Sequence, residues 1–152
     1  MQMKKTEKKN EIKTLLELSD LWRRYDRVYT CWAQKHGVSN NAMTLIEELH
    51  MRPQGVEPAE VADFLGIPRQ TMTATLDALE KKAIIGRFAH EKDRRRKVIR
   101  FTQEGKVLAE KLVKELHDWE IEALSSLSKT ELLRAFKTVK YFCTELEKGL
   151  KE

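Results

Sequence analysis

Two helices joined by a tight turn are predicted by the stretch Pro58-Ala-Glu-Val-Ala-Asp-Phe-Leu-Gly-Ile-Pro-Arg-Gln-Thr-Met-Thr-Ala-Thr-Leu-Asp-Ala-Leu-Glu-Lys-Lys82. Apolar residues recur at helical spacing on both sides of Gly66-Ile67-Pro68, so each helix can bury one face. The residues predicted to face inward are Val61, Ala62, Leu65, Met72, Leu76 and Leu79. With Ile67 filling the angle between the helices, this pattern is typical of a helix-turn-helix.

Polar residues at the start of the second helix are predicted to lie off its buried stripe. They are Arg69, Gln70, Thr71, Thr73 and Thr75. A helix fits the major groove of DNA, where the first residues of a recognition helix reach base edges and phosphates. Arginine pairs with guanine and glutamine with adenine at two points each, and threonine hydroxyls suit phosphates. We therefore predict that this helix binds double-stranded DNA.

A charged hairpin follows the two helices. Residues 84–90 and 97–101 are rich in β-branched and aromatic residues, which indicates two antiparallel strands. The loop between them, Glu91-Lys-Asp-Arg-Arg-Arg-Lys97, suits the minor groove, whose negative potential attracts arginine. The predicted DNA-binding residues of this wing are Arg87, Lys92, Asp93, Arg94, Arg95 and Arg96. Asp93 is expected to orient the Arg95 guanidinium through a charge-assisted hydrogen bond.

Further helices flank this core. A stripe of large apolar residues from Ile12 to Lys35 predicts a long amphipathic helix. Ser39 is a good N-cap for a second helix, which Pro53 ends. Thr102 is expected to cap a helix over 103–124, and Ser128 with Glu131 forms a capping box for the last one.

The last helix carries an apolar seam that requires a helical partner. The seam residues are Leu132, Phe136, Val139, Cys143, Leu146 and Leu150. We predict that the apolar faces of the flanking helices pack across a two-fold axis in a homodimer. The predicted organisation is one mainly α domain over 1–152, with a winged helix-turn-helix core at about 40–102 and dimerisation helices at 11–36 and 103–150.

Composition narrows the functional class. The net charge of +5 suits a polyanionic partner, and no apolar run has membrane-spanning length, so we expect a soluble cytoplasmic protein. The 2 cysteines form neither a disulfide framework nor a zinc motif. The sequence contains no Gly-rich phosphate loop, nucleophile elbow or metal-ligand spacing. We therefore expect no catalysis, no cofactor and no metal.

The order of these elements resembles the multiple antibiotic resistance regulator (MarR) family of bacterial and archaeal transcription factors. The resemblance covers nearly the whole chain. Its carriers are Glu60-Val-Ala-Asp-Phe-Leu-Gly66, Leu76-Asp-Ala-Leu-Glu-Lys-Lys82, Asp93-Arg94-Arg95 and Phe101-Thr-Gln-Glu-Gly105. Two positions depart from the family pattern. Pro68 stands where Ser, Thr or Asp is common, and Ala83-Ile84 replaces the usual Gly before the first strand.

The resemblance implies a homodimer on a pseudopalindromic operator. Recognition helices would enter successive major grooves, and the wing residues Asp93 and Arg95 would serve the flanking minor grooves. The family usually represses transcription until a small ligand binds, often a phenolic or other lipophilic compound. The aromatic residues Trp22, Tyr25, Tyr29 and Trp32 would then line an effector pocket, although dimer core is the simpler interpretation of the same stripe.

Some relatives sense peroxide through a thiol or bind zinc, and Cys31, His36 and His117 are the residues to compare. The relatives' thiols lie nearer the start of the first helix, and the zinc ligands have a different spacing. We expect neither function here.

A winged-helix protein-interaction module that does not bind DNA is the main alternative to a DNA-binding regulator. The arginines at 87, 94, 95, 96 and 100 argue against it, because a protein-binding wing needs no such charge. Salt dependence would separate the two, since each phosphate contact contributes a slope of about 0.9 to log affinity against log salt.

Overall fold

A computed structural model describes residues 5–90, 93 and 95–150. In chain order its elements are α1 (Lys5–Lys35), α2 (Asn40–Met51), α3 (Pro58–Leu65), α4 (Arg69–Lys81), β1 (Ile85–Ala89), β2 (Lys97–Phe101), α5 (Gln103–Leu124) and α6 (Lys129–Gly149). The predicted mainly α, winged helix-turn-helix fold is confirmed. The first helix begins at Lys5 rather than at Ile12. The chain divides into two compact units, Met1–Val113 and Lys114–Glu152.

The turn between α3 and α4 is fixed by a left-handed glycine. Gly66 has φ of +63°, and the amide of Ile67 donates to the carbonyl of Ala62 at 3.0 Å. The amide of Gly66 donates to Asp63, which completes the hydrogen bonding of the last turn of α3. Ile67 is half-buried, as expected for a residue that fills the angle between the two helices.

The core of the first unit is built from the predicted inward faces. Fully buried large side chains of this unit include Leu45, Ile46, Leu49, Val61, Met72, Leu79, Ile85 and Ile99. Each side chain of this kind stabilises the fold by roughly 1.5–3 kcal/mol through the apolar surface removed from water. The helix-turn-helix and the hairpin therefore share one apolar core and hold each other in place.

The hairpin has a fixed register and a third partner. β1 and β2 are antiparallel, with Ile85 opposite Phe101 and Ala89 opposite Lys97. Val56 adds to the other edge of β2, where its amide donates to the Ile99 carbonyl at 3.1 Å and its carbonyl accepts from the Ile99 amide at 2.8 Å. The short segment before α3 is therefore hydrogen-bonded to the wing.

The start of α5 is joined to the end of α4. Thr102 caps α5, because its hydroxyl accepts from the Gly105 amide at 2.9 Å. The same hydroxyl donates to the Ala83 carbonyl at 2.6 Å, and the Thr102 amide donates to the Ile84 carbonyl at 3.1 Å. Gly105 is buried directly against the backbone of Ile84.

Ala83 ends α4 in the left-handed conformation that glycine normally adopts. Its φ is +54°, and it is exposed. The Ala83 amide donates to Glu80 at 2.9 Å and the Ile84 amide to Leu79 at 3.0 Å. These two bonds form a Schellman motif, which requires this φ whichever residue occupies the position. The departure from the usual Gly therefore leaves the geometry unchanged and adds backbone strain.

We expect Ala83→Gly to stabilise the protein by about 0.5–1 kcal/mol, since the relief of left-handed strain outweighs the extra freedom of an unfolded glycine. Urea unfolding at equal protein concentration measures the difference. Exposed Ala59→Gly in α3 is the matched control, and it should lose about 1 kcal/mol instead, because Gly is a poor helix former. Equal or lower stability of Ala83→Gly would contradict this account.

In the second unit, α6 begins with the predicted capping box. The Ser128 hydroxyl accepts from the Glu131 amide, and the Glu131 carboxylate accepts from the Ser128 amide at 2.8 Å. The hydrogen bonds from the side chain and backbone of Ser128 lower the pKa of Glu131. No residue of α6 is buried, and the exposed apolar side chains include the seam residues Phe136, Val139, Leu146 and Leu150.

Candidate nucleic-acid interface

The first turn of α4 presents polar side chains to solvent. Arg69, Gln70, Thr71 and Thr73 are exposed, as predicted for a recognition helix. Pro68 precedes the helix with φ of −52° and ψ of 135°, and no side chain caps the amides of the first turn. The N-terminus of α4 therefore offers uncapped backbone donors at the positive end of the helix dipole.

Arg69 is held by a carboxylate of the neighbouring helix. Its Nη2 lies 3.0 Å from Oδ2 of Asp63, and both side chains are exposed. Exposed ion pairs of this kind contribute only about 0–1 kcal/mol. The pair directs Arg69 across the turn in the unbound protein, and a phosphate or base is able to displace it.

Thr75 is a correction to the sequence prediction. It is buried, with 7% of its surface exposed, and its hydroxyl donates to the Thr71 carbonyl at 2.9 Å. The residue lies next to Leu76 on the inward face of α4. The spacing of the large apolar residues had indicated a narrower buried stripe than the one that the structure shows. It belongs to the core rather than to the exposed face.

We expect Thr75→Val to leave DNA affinity within about twofold of the parent, because the hydroxyl bonds only within the helix. Thr71→Val is the matched substitution on the exposed face, and it should weaken DNA binding about 5- to 10-fold by removing a neutral hydrogen bond at a site repeated in a dimer. Both are measured by titration of labelled DNA. A larger loss for Thr75→Val than for Thr71→Val would contradict the assignment.

Arg87 faces α4 and not the predicted groove. Its Nη1 lies 2.9 Å from Oε2 of Glu80, and its Nη2 pairs with Oδ1 of Asp77. The hydrogen bond with Asp77 raises the pKa of Arg87, while burial acts in the opposite direction. This double ion pair ties β1 to the second half of the recognition helix, so Arg87 positions the hairpin.

In the hairpin loop, Asp93 bonds to the backbone of Arg95. An Asp93 carboxylate oxygen accepts from the Arg95 amide at 3.0 Å, whereas the sequence predicted a bond to the Arg95 guanidinium. This is an Asx turn, in which a short carboxylate replaces a backbone acceptor. The Arg95 side chain is exposed, and no described residue pairs with its guanidinium. Lys92 and Arg94 lie outside the described residues.

Two other wing arginines are bound within the protein. The Arg96 guanidinium donates to both oxygens of Glu57, with Nε at 3.0 Å from Oε2. Arg100 Nε donates to the Gln54 carbonyl at 2.7 Å. Fewer wing cations are therefore available to DNA than the charge of the sequence indicated, because several are ion-paired or hydrogen-bonded within the folded chain.

Comparison with known proteins agrees with this geometry. The model of the MarR family matches residues 36–96, which contain α2, the helix-turn-helix, β1 and most of the wing loop. Over these residues the chain is similar to the MarR family.

Solved structures with the MarR-type fold align over most of this chain. The S. aureus MepR–DNA complex has 23% identity and a TM-score of 0.73, covering 84% of this chain and 96% of its own. The transcriptional regulator BldR from Sulfolobus solfataricus has 19% identity and a TM-score of 0.70, covering 91% and 99%. CouR from Rhodococcus jostii RHA1, bound to p-coumaroyl-CoA, has 18% identity and a TM-score of 0.70, covering 82% and 87%. At these identities the likeness establishes the fold.

The aromatic residues of α1 form a ladder along that helix. Trp22 and Tyr25 make an edge contact at 6.3 Å between ring centroids, and Tyr25 and Tyr29 lie 4.4 Å apart. Trp32 stacks on His36 at 3.8 Å. Trp22 and Tyr25 are exposed, whereas Tyr29 and Trp32 are half-buried.

Two cavities of the first unit lie elsewhere. One, of about 320 Å³, lies between the start of α3 and the wing, and its lining includes Glu57, Glu60 and His90. The other, of about 250 Å³, is lined by residues of α2, β2 and the start of α5. Within 5–90, 93 and 95–150, no group of three or more His, Cys, Asp or Glu side chains could hold a metal ion. None of the described helices is long and apolar enough to cross a membrane.

The carboxylates that pair with the arginines of this interface were not predicted from the sequence. Asp63 pairs with Arg69, and both Asp77 and Glu80 pair with Arg87. Each partner lies within 10 residues of its arginine, so the standard geometry of a helix-turn-helix followed by a hairpin could have indicated these ion pairs. Glu57 lies 39 residues from Arg96, and only the tertiary fold brings them together.

Proposed function

We propose that this chain is a sequence-specific transcriptional regulator that binds double-stranded DNA as a homodimer, and that it acts as a ligand-responsive repressor. The observation that carries the proposal is the exposed polar start of α4 beside a hairpin that is ion-paired to the same helix. A rigid pair of this kind can place a helix in the major groove and a wing in the adjacent minor groove.

The start of α4 suits both phosphates and bases. The uncapped amides of its first turn and the helix dipole favour a phosphate oxygen at this end. Gln70 and Arg69 are the side chains suited to base edges, each good bidentate pair contributing about 1–3 kcal/mol of discrimination. The similar S. aureus MepR structure is a complex with DNA, which supports the same partner for this chain.

A homodimer accounts for apolar surface that the single chain leaves exposed. On α1 this surface includes Leu15, Leu16 and Trp22, and on α6 it includes Phe136 and Leu146. Side chains of this size at heptad-like spacing require a partner helix, and a second copy supplies one with matching symmetry. We propose that residues 11–36 and 103–150 form this interface, that 40–102 bind DNA, and that the operator is pseudopalindromic.

The proposed effector is a small lipophilic or phenolic compound that binds at the aromatic ladder of α1. Tyr25 and Tyr29 offer stacking surface with hydroxyl groups at its edge. The p-coumaroyl-CoA bound to CouR carries a phenolic group, which supports the same ligand class. As a DNA-bound regulator the protein would act in the cytoplasm and would catalyse no reaction.

Fluorescence anisotropy with the DNA upstream of the protein's own gene tests the proposal. The titration is run at two salt concentrations beside unrelated DNA of equal length. Tight binding that favours the upstream DNA and weakens steeply with salt is the expected result. Equal, salt-sensitive binding to both DNAs would contradict an operator at that position. Absence of binding at low salt would overturn the proposal in favour of a winged-helix protein-interaction module.

A further inference from the structure

Arg96 is bonded through its backbone and its side chain at the base of the wing loop. Its amide donates to the Asp93 carbonyl at 3.0 Å, and its carbonyl accepts from the His90 amide at 3.0 Å. Its guanidinium makes two hydrogen bonds to the Glu57 carboxylate, which raise the pKa of Arg96. The Arg96 side chain therefore stabilises the conformation of the loop rather than binding a ligand.

Glu57 stands at the junction of three elements. It precedes the first turn of α3, with Pro58 as the next residue. It directly follows Val56, whose backbone exchanges two hydrogen bonds with Ile99 of β2. The Glu57 side chain is only 22% exposed, and its two oxygens face the two guanidinium nitrogens as a bidentate pair. Such a pair fixes direction as well as distance.

We propose that Glu57 is a positioning residue for DNA binding, which fixes the wing loop on the helix-turn-helix through Arg96 so that Arg95 is presented to DNA. The proposal rests on the DNA-binding function inferred above. It assigns a favourable role in DNA binding to an acidic residue at the start of α3.

The charge of Glu57 and its structural role predict opposite effects on DNA affinity when its carboxylate is removed. A carboxylate near a polyanion repels it, so its removal should strengthen binding if charge alone decides. If Glu57 fixes the loop, its removal leaves Arg95 on a mobile segment that must be ordered when DNA binds. Ordering side chains and loops on association reduces affinity. The sign of the change therefore separates the two explanations.

The test uses the whole chain with Glu57→Gln, which removes the charge and keeps the size of the side chain. We expect operator affinity to fall about tenfold, with the melting temperature of the protein nearly unchanged. Glu60→Gln is the matched control, because Glu60 is three residues away and its carboxylate is hydrogen-bonded to Arg52 rather than to Arg96. It should bind DNA as well as the parent or slightly better.

A double-mutant cycle with Arg96→Gln shows whether the two residues act through each other. We expect Arg96→Gln to lose about tenfold in affinity and the double variant to lose no more than either single variant. Hydrogen exchange of the His90 and Arg96 amides in the free protein should be faster in Glu57→Gln, which reports loop mobility without DNA.

Three results would overturn the inference while leaving the proposed function intact. The first is equal or tighter operator binding by Glu57→Gln. The second is a loss of DNA affinity in Arg96→Gln but not in Glu57→Gln, which would mean that Arg96 contacts DNA itself. The third is unchanged hydrogen exchange at the wing. If the parent protein binds no DNA at low salt, the proposed function fails, and this inference fails with it.

Discussion

Gly105→Ala is expected to destabilise the protein by about 3 kcal/mol or more, at the upper end of what a single overpacking substitution costs. A Cβ at this position would lie 1.8 Å from the Ile84 carbonyl oxygen and 2.5 Å from its carbon. These are backbone atoms, and Ile84 is itself held by the Thr102 amide and by the end of α4. The backbone cannot yield without separating α5 from the end of α4.

Urea unfolding at fixed protein concentration measures this loss. Gly149→Ala is the control, because a Cβ at Gly149 meets no atom within 4 Å and alanine is the better helix former. Stability of that variant should be unchanged or slightly higher. Wild-type stability in Gly105→Ala would show that the close approach of α5 to Ile84 is wrong.

Arg95→Gln is expected to reduce operator affinity roughly 100-fold, because a charged hydrogen bond contributes about 1.5 kcal/mol and occurs once in each protomer. The guanidinium is exposed, and no described residue pairs with it, whereas Arg87 and Arg96 are bound to carboxylates. Arg95 is thus the described wing arginine best placed to pair with DNA. The loss should be largest for operators with an A·T-rich, narrow flanking minor groove.

Salt titrations provide a second measure of the same interaction. The slope of log affinity against log salt should decrease by about 0.9 for each phosphate that the variant no longer neutralises. Arg134→Gln, an exposed arginine of α6, is the control and should leave affinity and slope unchanged. If both substitutions reduce affinity equally, the wing has no special role, and net charge alone accounts for binding.

The helices could be predicted from the sequence because their signals are local. Ser39, Thr102 and the pair Ser128 and Glu131 cap the helices that they were predicted to cap. The inward residues Val61, Met72 and Leu79 are buried as their spacing indicated. The hairpin followed from two β-rich runs around a charged loop. In each case the deciding residues lie within a few positions of each other.

The roles of the charged side chains could not be predicted in the same way. Periodicity placed Thr75 among the exposed residues, yet it is buried, because the width of an inward face depends on what packs against it. The loop sequence suggested that Asp93 holds the Arg95 guanidinium, but the turn uses the Arg95 amide. A backbone donor two residues away costs less side-chain entropy to engage than a long flexible guanidinium.

The sequence by itself determined the fold class, the caps, the wing and the resemblance to the MarR family, since these depend on periodicity and short motifs. Only the tertiary structure decided which arginines remain available to DNA. Arg87 and Arg96 carry the same charge as Arg95, but the core brings Asp77, Glu80 and Glu57 to the first two. Ion pairing depends on distance in space, and a separation of 39 residues, as between Glu57 and Arg96, leaves no local signal in the chain.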